Sequence, residues 1–578
     1  MFQSPDATSW CLSYRNQNTH SARGSLTKRR LSSLLAIVTA LATVALIPGR
    51  PSAVRAVTTG HGAWLQQRCA GAVVDPVVTN NGDSGAGSLR QAIMDACDGS
   101  TITFGNTVTS PITLTTATLV INKNLTITGP GPNLLTVERS SLAGTPLFRI
   151  FTINSGVTVT ISGLTITNGH TPDACFCTPS GGGIFNSGTL TVTNCTISGN
   201  SSRRGGGIFN AGGALFTSPY SLTVTNSTIS GNQATPWGDG DGSGGGIFND
   251  SGAVTVTNST ISGNSAFGGR GGGGIFNSLG AVTVTNSTIS DNSAFGNLGG
   301  GGIFNDGFEI SGVLTVTNST ISGNKSSGFG GGIFLYNFGI LRLTNSTISG
   351  NQAFGGLGGG ICNLSQGAWP FFRARANIIA GNSGSSRWAD VSGSFASEGF
   401  NVIGKTDETK NGFTQVTDQT GIFFSPLDPM LGPLANNGGP TQTHALLAGS
   451  PAIDAGDDSV LGSPLFLITD QRGFPRKLGS HVDIGAFEAE VSPSDSIKQL
   501  IPVVDGFNLQ PAGIGVSLDA KLNAALSALA AGDTATACVD LSDFIDTVNA
   551  QSGKKLTDTQ ADALRAFADS IRTALGCP

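Results

Sequence analysis

The chain has 578 residues, 84 of them glycine, about 14.5%, with only 12% charged residues. Glycine does not fall at every third position, which excludes collagen. The formal charge of −5 becomes −11 once residues 1–56, with seven Lys/Arg and one Asp, are set aside, and so acidic and charge-poor a body excludes a nucleic-acid partner.

Lys28, Arg29 and Arg30 precede an apolar run from Leu31 to Ile47, and Val54-Arg55-Ala56 offers small residues for cleavage. Residues 1–56 therefore read as a signal peptide, and the body is expected to be secreted or on the cell surface, with no membrane span after the leader is removed. Eight of nine cysteines follow the leader. In an oxidising compartment Cys69 with Cys97, and Cys538 with Cys577, are expected as disulfide staples of the terminal modules. Residues 57–100 hold an N-terminal segment, in which Gly87–Ala96 reads as a short amphipathic helix capping the first strand.

The hexad GGGIFN starts at Gly181, Gly205, Gly244, Gly272 and Gly300, with variants at Gly330 and Gly358. It alternates with (L/V)TVTN(S/C)TIS(G/D)N, at a mean period of (382 − 200)/6, about 30 residues. Valines and threonines alternate at period two, which is strand spacing rather than helix spacing. Three short strand runs per period predict a parallel β-helix of ten or eleven coils over 101–425, coils about 4.8 Å apart. The Val and Ile columns should face the core and Thr223, Thr225, Thr255 and Thr257 the solvent. Asn194, Asn226, Asn258, Asn286, Asn318 and Asn345, at the junction of two strands, are expected to form an internal ladder. The phenylalanines of the hexad are expected to pack in the core, with a partly exposed stripe as the alternative.

The segment between ISGN and GGG varies in length while TVTNSTI does not. These loops carry Trp237, Phe267, Phe295, Phe329 and Phe354, with Arg203, Arg204 and Arg270. Aromatic groups beside polar ones on one face point to glycan or protein recognition. Asp239, Asp241, Ser243 and Asp250 have the spacing of a calcium loop; no other cofactor is expected. No column repeats a carboxylate, so the leading function is a non-catalytic, monomeric scaffold for adhesion to an extracellular glycan or surface protein. A polysaccharide lyase or hydrolase is the alternative.

The motifs also carry resemblances. DSGAGSLRQAI followed by TITF resembles the entry module of bacterial secreted right-handed β-helix proteins. The GGGI and ISGN pairs resemble repeats of polymorphic outer-membrane-type proteins. LANNGGPTQTHALLAGSPAIDAGD and TDQRGFPRKLGSHVDIGAFE, within 426–488, resemble the choice-of-anchor Q domain. After a linker (489–505), residues 506–578 read as three helices and resemble the FIMAH domain. Together these imply an all-β, right-handed, single-stranded parallel β-helix with a small all-α C-terminal domain.

Overall fold

The computed structural model describes residues 72–172, 181–212, 220–236, 242–307, 312–365, 372–384, 390–406, 410–447, 449–489, 493–507, 509 and 513–578. The chain divides into two units, Met1–Ala70 and Gly71–Pro578, and all described residues belong to the second. The leader, Cys69, Cys175 and Cys177 lie outside them.

The chain is a parallel β-solenoid. Two 12-stranded sheets and one of 10 strands run along it, with a fourth strip of two-residue strands. One sheet is built from TVT runs such as Thr189–Thr193 and Ser221–Thr225, paired residue for residue. A second comes from TIS runs such as Thr228–Ser230 and Thr260–Ser262. The third comes from IFN runs such as Ile247–Asp250 and Ile275–Ser278. Alternation puts Val224, Ile229 and Ile247 in one continuous core, while Thr223 and Thr225 stand half-exposed on the outside.

The corners between sheets hold polar ladders. Asn194, Asn226, Asn258 and Asn286 occupy left-handed turns with φ near +49°, as expected of junction asparagines. They do not form the internal ladder, however. Asn194 and Asn226 are exposed, Asn258 and Asn286 half-buried and Asn318 and Asn345 buried, and within this column the Asn318 amide donates to Asn286. The ladder belongs instead to the asparagine that ends each ISGN motif. The amides of Asn200, Asn232, Asn264, Asn292, Asn324 and Asn351 each donate to the next asparagine carbonyl at 2.8–2.9 Å. Asn382 ends the series on the Asp390 carboxylate at 2.9 Å. A second buried ladder joins Asn186, Asn210, Asn249, Asn277 and Asn305 at 2.7–2.8 Å.

Helix α1 (Leu89–Asp95) covers the first coil as expected. Ser88 caps it by accepting from the Gln91 amide, and Leu89, Ala92 and Ile93 enter the core. At the other end lie four helices rather than three: α2 (Pro493–Gly506), α3 (Gly513–Ala530), α4 (Thr534–Gln551) and α5 (Asp558–Leu575). The expected linker is thus largely α2, whose Ile497, Leu500 and Val504 share one face and are buried with Leu522, Phe544 and Phe567. Thr557 and Gln560 form a capping box at the start of α5. No described helix is long and apolar enough to cross a membrane. Cys538 and Cys577 form a disulfide with Cα atoms 5.6 Å apart, and Cys97 is also disulfide-bonded.

The segment from Asp428 to Ala489 folds back along the solenoid over the outer face of the TIS sheet. Thr288 donates to the Gln442 carbonyl, Thr320 to the Gln471 side chain, and Thr347 accepts from the Ala486 amide. Thr288, Thr320 and Thr347 are buried for this reason, whereas Thr196, Thr228 and Thr260, in the same column, are half-exposed.

Two outcomes are expected. Asn264→Ala removes four buried hydrogen bonds and should cost about 2–4 kcal/mol in urea unfolding followed by circular dichroism. Asn258→Gly, at a φ of +49°, should stay within about 0.5 kcal/mol of wild type. Separately, reducing Cys538–Cys577, which closes a 39-residue separation, should destabilise the helical unit by about 4 kcal/mol, read as an earlier melt of its helical signal.

Candidate functional site

In each IFN strand the Ile faces the core, so the adjacent Phe must face out. From Phe209 onward the phenylalanines nevertheless are buried, and Phe185 is half-buried. Phe209, Phe248, Phe276 and Phe304 form a near-parallel column with centroids 4.8–5.2 Å apart, outside the main core and covered by Leu298, Phe329 and Leu357 from the variable loops. Neither expected arrangement holds: the column is external to the β-helix, yet shielded. The preceding glycines allow this. Gly244 has φ of +69°, and a Cβ on Gly245 would stand 2.4 Å from the Gly273 carbonyl oxygen of the next coil.

Cations lie over this column. The Arg204 guanidinium sits 5.4 and 5.3 Å from the Phe209 and Phe248 rings, and Arg149 sits 5.0 Å from Phe185. Arg149 was not visible from sequence, because it lies in a weak upstream copy that lacks the hexad. Burial lowers its pKa to about 10. Arg203 is half-buried beside Arg204.

The loop aromatics separate into two groups. Phe329 packs against Phe334 at 5.7 Å and so belongs to the shielding layer. Phe267 and Phe295 stack at 4.8 Å with 9° between their planes and remain 41% and 54% exposed. Backbone bonds from Phe267 to Ala234, Phe295 to Ala266, Ser327 to Ala294 and Phe354 to Ser326 set these residues in one column. Ser327 interrupts it, and Phe354 follows at 58% exposure. Arg270 reaches Asp306 at 3.3 Å, and Asp306 also accepts from Asn337 at 2.7 Å, which ties the loop to the IFN sheet.

Trp237, Asp239 and Asp241 lie outside the described residues. Of the calcium set, Ser243 is buried and Asp250 ends the regular strand Ile247–Asp250, paired with Ser278. The second half of the twelve-residue spacing is therefore strand where a calcium loop needs a turn. Burial raises the Asp250 pKa, partly offset by the Arg204 charge. Among the described residues no group of three His, Cys, Asp or Glu could hold a metal.

A cavity of about 710 Å³ lies between the fold-back segment and α5, lined among others by Arg472, Phe474, Asp483, Glu488 and Thr573. Its charges are held internally. Arg472 bonds Asp470 at 2.7 Å and stacks over Phe487 at 3.7 Å and Phe474 at 4.5 Å. Glu488 accepts backbone bonds from Leu478 and Asp483, and Asp483 accepts from Asp454 and Ala489. Arg476 is fully buried and donates to Asn318 on the solenoid. The sequence signal was a dense set of charges, RGFPRK and DIGAFE, in a charge-poor chain. The arrangement serves to seat the segment.

The right-handed β-helix region family matches residues 126–281 and 210–398. No curated protein and no solved structure matches the chain.

Burial pushes Asp483 up to about 6 from 3.8, and raises Glu488 as well, with the Asp483 charge adding to it. A carboxyl whose folded pKa is raised takes up its proton in the folded state first, so stability rises as pH falls through about 6 and levels off below 3.8. The fold-back segment should therefore resist proteolysis better at pH 5 than at pH 7.5, and Asp483→Asn should flatten that difference.

Proposed function

We propose that this parallel β-helix repeat protein is a secreted or cell-surface scaffold that binds an extracellular glycan or protein through its loop face, without catalysis. The observation that carries the reading is the stacked, exposed Phe267–Phe295 pair, with Phe354 in the same column. Exposed aromatic carbon costs solvation unless a partner covers it. The shielded phenylalanines alongside make the contrast sharper, since the same loops cover one aromatic column and leave another open. Rigidity supports a display role: the ladders hold each coil to its neighbours, and the loops alone vary in length.

The Cys538–Cys577 disulfide supports an oxidising, extracytoplasmic location. Resemblance of the fold-back segment to choice-of-anchor Q, and of the helical unit to FIMAH, supports surface retention or accessory binding by the C-terminal part. The partner chemistry is uncharged or acidic carbohydrate or a protein surface, with Arg204 and Arg270 nearby in the loop set.

The test is binding of the purified protein to a glycan array and to cell surfaces. Phe267→Ala with Phe295→Ala should abolish binding while the melting temperature is unchanged, because both side chains are largely exposed. Retained binding sinks the reading. Release of unsaturated or reducing ends from pectin, alginate or hyaluronan would replace it with a lyase or hydrolase.

A further inference from the structure

Where the fold-back segment crosses the corner asparagines, four buried polar atoms have no hydrogen-bond partner among the described residues. They are Nε and Nη1 of Arg476, and Nδ2 and Oδ1 of Asn345. Neither residue has any exposed surface. Arg476 belongs to the segment and Asn345 to the solenoid. Register brings them together: the Arg476 guanidinium donates through Nη2 to Asn318, and Asn345 is the next residue of that column, one coil or about 4.8 Å further on.

The column explains why the Asn345 side chain is left over. Asn318 donates its amide to Asn286 and to the Thr469 carbonyl. By the same pattern Asn345 would donate to Asn318, but Arg476 already holds the Asn318 side-chain oxygen. The next stretch of the segment is committed elsewhere, with the Gly485 amide on the Ala376 carbonyl and the Ala486 amide on the Thr347 hydroxyl. The carboxylates around Arg476 are occupied too. Asp470 accepts two bonds on each oxygen, from Arg472, Phe474 and Glu488. Glu488 and Asp483 each accept one backbone amide on each oxygen.

We infer that a buried water molecule sits here and bridges Arg476 of the segment to Asn345 of the solenoid. Buried polar groups are costly when unpartnered, and a water inside a protein makes about three hydrogen bonds to groups of this kind. Arg476 supplies donors only, while Asn345 supplies a donor and an acceptor, so the occupant must both accept and donate. A halide only accepts, and it would lie beside Asp470, Asp483 and Glu488, whose charges already surround the guanidinium. A cation has no place against an unpartnered guanidinium. A larger neutral molecule has no way in, because all four atoms are shut off from solvent. Water is the small neutral molecule with both functions. A bridging water is nearly as good as a direct hydrogen bond, so it adds a link between segment and solenoid that no side chain provides. This site is separate from the loop face and does not depend on the binding function proposed above.

The test is a crystal structure of the full chain at a resolution that shows single waters, grown with bromide as the only halide. The expected result is a peak without anomalous signal, within about 3.2 Å of Arg476 Nε or Nη1 and of the Asn345 side chain. An anomalous peak at that place overturns the proposal in favour of a halide. Absence of any peak, with Asn345 packed dry or turned onto a protein group, overturns it as well. A melting experiment checks the same bridge in solution. Asn345 has φ of +44°, which glycine accepts without strain. Asn345→Gly should melt at a lower temperature than Asn258→Gly, the same substitution at a half-buried rung of the same column. An equal or higher melt shows that the Asn345 side chain holds nothing, and sinks the inference.

Discussion

A parallel β-helix turns its chain sharply at each corner, and the backbone groups at a corner cannot all pair within a sheet. The asparagine at the end of each ISGN motif resolves this. Its carbonyl oxygen accepts both the backbone amide and the side-chain amide of the asparagine in the coil before it, while its own amide also reaches an isoleucine carbonyl. Each such residue is therefore bound to coils on both sides. Buried polar groups of this kind are costly unless all are satisfied, so the ladder favours one register and penalises any slip. Asp390 ends the ladder by accepting from both amides of Asn382, and burial pushes its carboxyl up to about 6.

With corner and register fixed, the three outward faces are free to differ. The TVT face keeps short hydroxyls. The IFN face carries a second aromatic layer, built outside the solenoid and shielded by loops. The TIS face becomes a bed for the chain's own C-terminal segment. Inward positions vary less: Val, Ile and Leu predominate from Ile102 to Ile403, with a few exceptions such as Phe151, Cys195, Phe372 and Ala374. Function is thus confined to what the outside of each face displays, and to the loops whose length the corners leave unconstrained.

Much of this was legible in the sequence. Alternation at period two, the glycine hexad and the 30-residue period gave strands, turns and coils, and the amphipathic pattern of Gly87–Ala96 gave the cap. The two asparagine columns were the harder matter. Both recur once per coil beside serine or threonine, and both suit turns. What separates them is direction: Asn264 follows a glycine at φ +62° and turns inward, while Asn258 itself takes φ +49° and stays at the surface. The fate of the hexad phenylalanines depended on loops distant from the strand, which no local pattern encodes. Helix α2 was obscured by Pro502, although Ile497, Leu500, Ile501 and Val504 keep helical spacing.

The fold-back segment poses a problem that repetition creates. Thr196, Thr228, Thr260, Thr288, Thr320 and Thr347 offer the same surface, so a segment that read only threonines could seat itself one coil early or late. Register must come from where the repeat fails. At the degenerate last copies the outward positions become Ile378, Ala380 and Val402, and these join Leu446, Ala452, Ile484 and Phe487 in a small separate core. That apolar patch occurs once and fixes the end of the segment. Counting back from it, Ala486 meets Thr347, Gln471 meets Thr320 and Thr288, and Arg476 meets Asn318. Arg476 has no exposed surface, and the three carboxylates near it belong to the fold-back segment and move with it. Because Asn286 and Asn345 repeat the Asn318 position on the adjacent coils, its bond holds the segment down without choosing the coil; hydrophobic burial in the one apolar patch both supplies the attachment and sets the register.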